Sequence, residues 1–312
     1  MKNSEVRLLP RAEKLESRAD SAYIRSPMNV YVVLLLQTLT ASATHIVAKS
    51  VVQDVDTLTL TFLRSLISSA GLLLFVFWRG TTLRVDRADY GMIALLAVLA
   101  TVNQLLYLYG MKFTTPANGA LLYALTPVLV LLLSSFFLKE RITLKKSAGI
   151  FLAFTGVVVV IFERGLSLSS EYNYGNLVIL TAVTCWALFT IKGKPMVLKY
   201  GATRATTLAT VVGGLMLFPF GIVPTVSFPY EQLSTLDWAG IFYLGIGTSI
   251  ISYFLWYYAL KRIEAGKLAV FSNGQPIVAA ILSVIFLDYT ITGNFMVGAA
   301  ITIVGVILTQ FG

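Results

Sequence analysis

Apolar residues along the chain come in blocks of about twenty, the length at which a helix crosses ~30 Å of hydrocarbon. Short breaks carrying charge, Gly or Pro separate the blocks. Read between those breaks, the pattern predicts spans near 29–48, 58–78, 90–111, 116–137, 146–162, 174–191, 204–225, 237–260, 266–287 and 292–311. Some connections are very short, 112–115 and 288–291 among them, which makes the joined helices antiparallel neighbours. Residues 1–28 hold no apolar stretch and read as a solvated tail, neither a span nor a secretory signal.

Composition agrees with the pattern and removes other classes. Of 312 residues, 57% are hydrophobic and 12% charged, with a mean hydropathy of +0.79, too little polar surface to cover a water-soluble globule of this size. The net charge of +9 would suggest nucleic acid in a soluble chain, but the basic residues sit at the ends of apolar blocks and report topology instead. A nucleic-acid partner is therefore not expected. The one cysteine, Cys185, lies inside an apolar block and supports neither an intrachain disulfide nor a cysteine metal site.

With the amino terminus inside, the predicted inner segments hold twenty of the 24 Lys and Arg, the outer ends three, and Arg64 lies within a span. One missed helix would invert every later loop, so the bias supports the span count and places both termini in the cytoplasm of an integral, bacterial inner-membrane type protein.

The chain also matches itself at a constant offset of 149 residues. Pro127 falls on Pro276, Gly149 on Gly298, Gly156 on Gly305, and Ile142-Thr143 on Ile291-Thr292. The match relates spans three to five to eight to ten, giving repeats over 29–163 and 174–312. Because five is odd, the second copy enters the bilayer upside down, the inverted-repeat architecture in which rocking about a central site exposes it to each side in turn. The expected fold is an all-α polytopic membrane protein of ten transmembrane helices in two inverted-topology five-helix repeats.

The stretch Leu121 to Pro127, then Phe136-Phe137-Leu138-Lys139-Glu140-Arg141-Ile142-Thr143, then Gly149 through Gly156-Val157, resembles the EamA-type repeat of the drug/metabolite transporter superfamily. A second copy reads Asn273-Gly274-Gln275-Pro276, Phe286 to Thr292, and Gly298 through Gly305-Val306, with Tyr289-Thr290 where the first has Glu140-Arg141. The resemblance implies transport of small metabolites, amino acids or drugs. It also implies a central path lined by spans three, four, eight and nine, with spans one and six adding Gln37, His45 and Trp186, and a structural role for Arg64.

The chemistry available is binding chemistry. No Asp or Glu lies mid-span, and with one histidine and no HExxH, Walker or GxSxG motif the chain lacks the groups an enzyme needs. Asn103 and Tyr107 share a helix face, and the offset maps them onto Ser252 and Trp256. Tyr123 and Thr126 stand beside Pro127, and Ser272, Asn273 and Gln275 beside Pro276. A mid-span proline frees a backbone carbonyl, which is tolerated against protein or a wet cavity. These residues are the candidate substrate contacts, against the plainer reading that they bond helix to helix. His45 reads equally as a proton-sensitive ligand contact or a packed residue. Arg64 reads either as meeting an anionic group or, the reading favoured here, as snorkelling or bonding helix-end carbonyls. Gly149, Gly156, Gly298 and Gly305 form small-residue seams, used within a monomer or between the subunits of a homodimer.

The sequence thus predicts a secondary transporter, exporter or facilitator, of small organic solutes by alternating access, with protons as a candidate partner through His45 and no cofactor. The alternative is a membrane sensor or assembly subunit on the same fold.

Overall fold

The structure, a computed structural model, describes residues 29–114, 116–137, 143–162, 170–287 and 293–310. The tail 1–28, the motif loops 138–142 and 288–292 and the side chain of Asn273 lie outside the described residues. Among the described residues every regular element is helical. Helices α1 (Val30–Asp54), α2 (Thr57–Trp78) and α3 (Tyr90–Phe113) are followed by α4 (Pro116–Ala124), α5 (Thr126–Phe137) and α6 (Leu144–Phe162). Then come α7 (Ser170–Val226), α8 (Thr235–Phe242), α9 (Tyr253–Leu260), α10 (Ala265–Val270), α11 (Gln275–Leu287) and α12 (Gly293–Gln310).

Five of these stretches are long and apolar enough to cross a membrane by length and composition: Val30–Asp54, Thr57–Trp78, Arg87–Phe113, Tyr174–Val226 and Thr235–Leu260. Shorter apolar helices occupy Leu122–Ser135 and Met296–Gly305. The molecule is inside out by the standards of a soluble protein. Leu74, Phe77, Leu215, Phe220 and Ile285 are exposed, while Gln37, Ser42, His45, Arg64 and Asn103 are buried. Large exposed apolar side chains on every long helix need hydrocarbon as their solvent, so this is an all-α membrane protein.

Local chemistry explains where elements begin and break. Asp56 accepts from the amides of Leu58 and Thr59 (3.0 and 3.1 Å) and starts α2; Ser234 and Asp237 form a reciprocal capping box at α8. The stretch predicted as 29–48 runs on to Asp54, because Lys49 does not stop it: its ammonium reaches across to the carbonyls of Met111 and Lys112 at the end of α3 (3.0 and 3.3 Å). The arms 170–200 and 202–226 of α7 meet at Gly201, whose φ of 83° is open to glycine and costly for other residues.

Two helices that the pattern draws as continuous are broken. Pro127 has no amide to bond the Tyr123 carbonyl, and the chain turns at Leu125, whose amide bonds Leu122 instead (3.1 Å). Before Pro276 the segment Phe271–Gly274 tightens to a 3-10 turn, at the positions the 149 offset relates to 122–125. A third departure has no proline: Tyr243–Ser252 is wound as π-helix between α8 and α9. Here Ile67 of α2 lies over Gly245, and Ile250 lies over Gly71. Side chains at either glycine would hold α2 away from this wider turn.

The small-residue seam lies within the monomer. A Cβ on Gly156 would sit 2.5 Å from Thr302 N and 2.6 Å from Gly298 O, and one on Gly305 would sit 2.3 Å from Ala153 N. Helices α6 and α12 therefore touch backbone to backbone. Adding 149 to Gly156 gives Gly305, and subtracting it from Thr302 gives Ala153, so the two contacts exchange under the repeat offset.

Candidate functional site

At the depth where α4–α5 and α10–α11 break, α1, α2, α3, α4, α7, the π segment, α9 and α11 surround a cavity. About 60 Å³ of it is open to water-sized molecules, room for roughly four or five waters. It sits between two apolar clusters, one holding Leu34, Phe189, Trp256 and Leu268, the other Val51, Leu60, Met111 and Leu244. Helix α1 bonds across it three times. Gln37 Nε2 donates to Ser252 Oγ (3.3 Å), the hydroxyls of Thr44 and Thr248 share a hydrogen (2.7 Å), and His45 Nε2 meets Gln275 Oε1 at 3.4 Å.

His45 is held on both ring nitrogens. Tyr107 OH stands 2.9 Å from Nδ1. With the hydroxyl as donor to Nδ1 and Nε2–H as donor to Gln275, a neutral imidazole satisfies both partners, and this network fixes the tautomer. The rings of His45, Tyr107 and Tyr123 pack edge to face, with centroids 5.4 to 5.7 Å apart. Asn103 Nδ2 donates to Tyr123 OH (2.7 Å) and to the Ala182 carbonyl (2.8 Å), tying α3 to both α4 and α7.

Arg64 differs from its favoured expectation. It neither snorkels nor caps a helix: it is 2% exposed, its Nε donates to Ser249 Oγ at 2.7 Å, and it lines the cavity. The π turn brings Ser249 to it and lets Ser249 Oγ donate in turn to the Leu244 carbonyl five residues back (3.0 Å).

Of the predicted contact residues, Gln37, His45, Asn103, Tyr107, Tyr123, Trp186, Ser252 and Gln275 come together on this cavity. Thr126, Ser272 and Trp256 do not line it. Thr126 and Ser272 are buried beside the helix breaks with hydroxyls that have no hydrogen-bond partner among the described residues, and Trp256 turns away to donate from Nε1 to Thr190 Oγ1 (3.1 Å) and pack on Trp186. Sequence reasoning passed over Thr44, Gln104, Thr248 and Tyr253. Gln104 and Tyr253 carried a signal, since they are partners at the 149 offset, and they bond each other at 3.4 Å. The threonines carried none, because a hydroxyl in an apolar helix ordinarily bonds its own backbone, as Thr44 also does to Thr40.

The ends predicted as cytoplasmic are tied by ion pairs. Lys199 bridges Asp86 and Asp89 (2.6 Å each), Tyr200 OH donates to Asp89, and Arg204 donates to the Arg84 carbonyl (3.1 Å). Lys146 pairs with Glu264. Hydrogen bonds from Lys199 and Tyr200 hold the Asp86 carboxyl below the usual aspartate range, and the Lys146 ammonium does the same for Glu264.

The chain matches the EamA-like transporter family over residues 28–162 and again over 173–311. It is 28% identical over 307 residues to the uncharacterized transporter YetK of Bacillus subtilis, covering 97% of this chain and 92% of that one. It is 30% identical over 287 residues to an uncharacterized transporter of Archaeoglobus fulgidus, covering 89% and 96%. A protein of known crystal structure shares the fold with a TM-score of 0.74 at 20% identity, over 90% of this chain and 96% of its own. With nearly all of its length matched by that family, the chain belongs to the EamA-like transporters, a family of membrane transporters within the drug/metabolite transporter superfamily.

Proposed function

We propose that the protein is a secondary transporter of small organic metabolites, amino acids or related amphipathic solutes, working as an exporter or facilitator by alternating access. Ten spans form two five-helix repeats, 29–163 and 174–312, inverted about an axis in the membrane plane, with both termini in the cytoplasm of a bacterial inner membrane. The observation that carries the reading is the cavity at mid-depth, whose walls come from both repeats and are joined by Gln37 to Ser252, Thr44 to Thr248 and His45 to Gln275. Such a site is what rocking of one repeat against the other would open to each side in turn. The exchange of the Gly156 and Gly305 contacts under the offset, and proline breaks at related positions, support the two-fold relation. The ion pairs of Lys199 and Lys146 then close the inner side, since each joins one repeat to the other.

Uptake of a labelled solute panel into proteoliposomes tests the reading. Saturable uptake of at least one solute, reduced by Tyr123→Ala in the cavity wall, is expected. Silence with every solute, gradient and orientation would refute it and favour a sensor or assembly subunit.

A further inference from the structure

Arg64 is a full charge buried at membrane depth, and nothing among the described residues neutralises it. Among the described residues its one hydrogen bond is the Nε contact to Ser249. The acidic residues among them, at 54, 56, 86, 89, 171, 231, 237 and 264, all fall at helix ends or in connections along the chain. The other polar groups of the cavity, Gln37, Asn103, Gln104 and Tyr123 among them, are neutral, and the bonds of His45 are satisfied by a neutral ring. The hydroxyls of Tyr107, Tyr123, Tyr243 and Tyr253 are within electrostatic reach of the guanidinium but supply no counter-charge. A buried cation whose remaining donors face a cavity is costly unless an anion arrives to pair with it.

Resting on the transport reading above, we infer that the solute taken by this cavity carries a single carboxylate and sets it on the free edge of the Arg64 guanidinium. One carboxylate pairs the guanidinium charge for charge, and its planar shape matches the fork of donors left after Nε is committed. A doubly charged phosphate would leave negative charge unpaired beside Arg64, a cation without a carboxylate would meet a like charge, and a solute with no negative group would leave Arg64 uncompensated. The rest of the solute faces the rings of Tyr123, Trp186 and Tyr253, surfaces suited to an apolar body or to an ammonium group. The inference therefore covers simple monocarboxylates and zwitterions, and the probes below separate them.

The test is direct binding to the purified full-length protein in detergent, read as ligand-induced change in melting temperature and by titration. The probes are isovalerate, L-leucine, isovaleramide, L-leucinamide and glycerol 3-phosphate, with benzoate, benzamide, L-phenylalanine and L-phenylalaninamide as a second set, all at matched ionic strength against sodium chloride. At least one carboxylate should stabilise the protein while its matched amide and the phosphate do not. Preference for the acids over the amino acids marks a simple carboxylate, and the reverse a zwitterion. Arg64→Gln should lower the affinity of the carboxylate that binds by on the order of 10- to 100-fold. Ser249→Ala, which leaves the guanidinium in place, should retain binding. Equal binding of carboxylate and amide, no binding by any carboxylate, an equal shift from sodium chloride, or an Arg64→Gln protein that binds like the wild type each overturns the inference. If Arg64→Gln does not fold, the wild-type ranking of carboxylates against amides decides alone. Carboxylate binding without uptake would keep this inference and remove the transport reading; saturable uptake of amides or amines with no carboxylate preference would do the reverse.

Discussion

Replacing Gly305 with Ala adds one methyl group where the neighbouring helix presents only backbone. The new Cβ would stand 2.3, 2.6 and 2.7 Å from Ala153 N, Cα and Cβ. Carbon contacts settle at about 3.5–4.0 Å, so α12 must move from α6 by about 1 Å along that seam. No rotamer change relieves the clash, which places the cost toward the upper part of the ~1–3 kcal/mol range for overpacking, offset by up to ~1 kcal/mol from the better helix propensity of Ala. A net loss of about 2 kcal/mol is expected. Gly156→Ala meets Thr302 N at 2.5 Å and Gly298 O at 2.6 Å and should cost a similar amount. The double variant should lose less than the sum, because both methyls part the same two helices. Gly91→Ala is the internal control, since nothing lies within 4 Å of its Cβ position in α3; it should be neutral or stabilising by up to ~1 kcal/mol. Unfolding in detergent, followed by tryptophan fluorescence and by size-exclusion profile, reads all four proteins. A Gly305→Ala protein that unfolds like the wild type, or that changes oligomeric state without losing stability, would refute the intramolecular seam.

Lys49→Met keeps the aliphatic stem but removes the ammonium from the Met111 and Lys112 carbonyls, and should destabilise by about 1 kcal/mol in the same unfolding measurement. The inner ion pairs should be insensitive to pH near neutrality. The carboxyls of Asp86 and Glu264 are depressed in the folded chain, so their contribution is complete above the ordinary carboxylate range and is lost as pH falls through their lowered folded values. Distances between spin labels placed at 82 and 202 should hold from pH 8 to pH 5 and broaden below about pH 4; loosening already at pH 6 would contradict the assignment. Where uptake is driven by an imposed pH gradient, His45→Gln should uncouple it, because the variant removes the only histidine in the chain. Unchanged gradient dependence would take His45 off the proton path.

The membrane class was legible because hydrocarbon imposes a length and a composition that few other environments impose. Helix positions followed closely, and their ends did not: Lys49 reads as a boundary by charge and is in fact a cap for another helix. The prolines at 127 and 276 signalled a freed carbonyl in each of those spans, while the apolar pattern still drew both helices as continuous. The π turn at Tyr243–Ser252 was illegible, since it depends on Gly245 and Gly71 meeting isoleucines from partner helices. That turn is also why the surroundings of Arg64 were misjudged, because Ser249 reaches it only across the interface between α2 and the π segment. Cavity residues related by the repeat could be found from the offset, yet Tyr107 and its counterpart Trp256 part company, one on the cavity and one packed beneath it. Symmetry of sequence selects the helices, while packing chooses which side chain of each related pair reaches the opening.

The Gln104 to Tyr253 hydrogen bond joins two residues that are each other's counterparts. Under the proposed inverted repeat a contact of that kind lies on the two-fold axis, so swapping the shapes of the halves would carry it onto itself. In the alternating-access cycle proposed above, other bridges would be made on one face and undone on the opposite one, while this one would persist at the fulcrum, a hinge pin about which both orientations of the carrier turn.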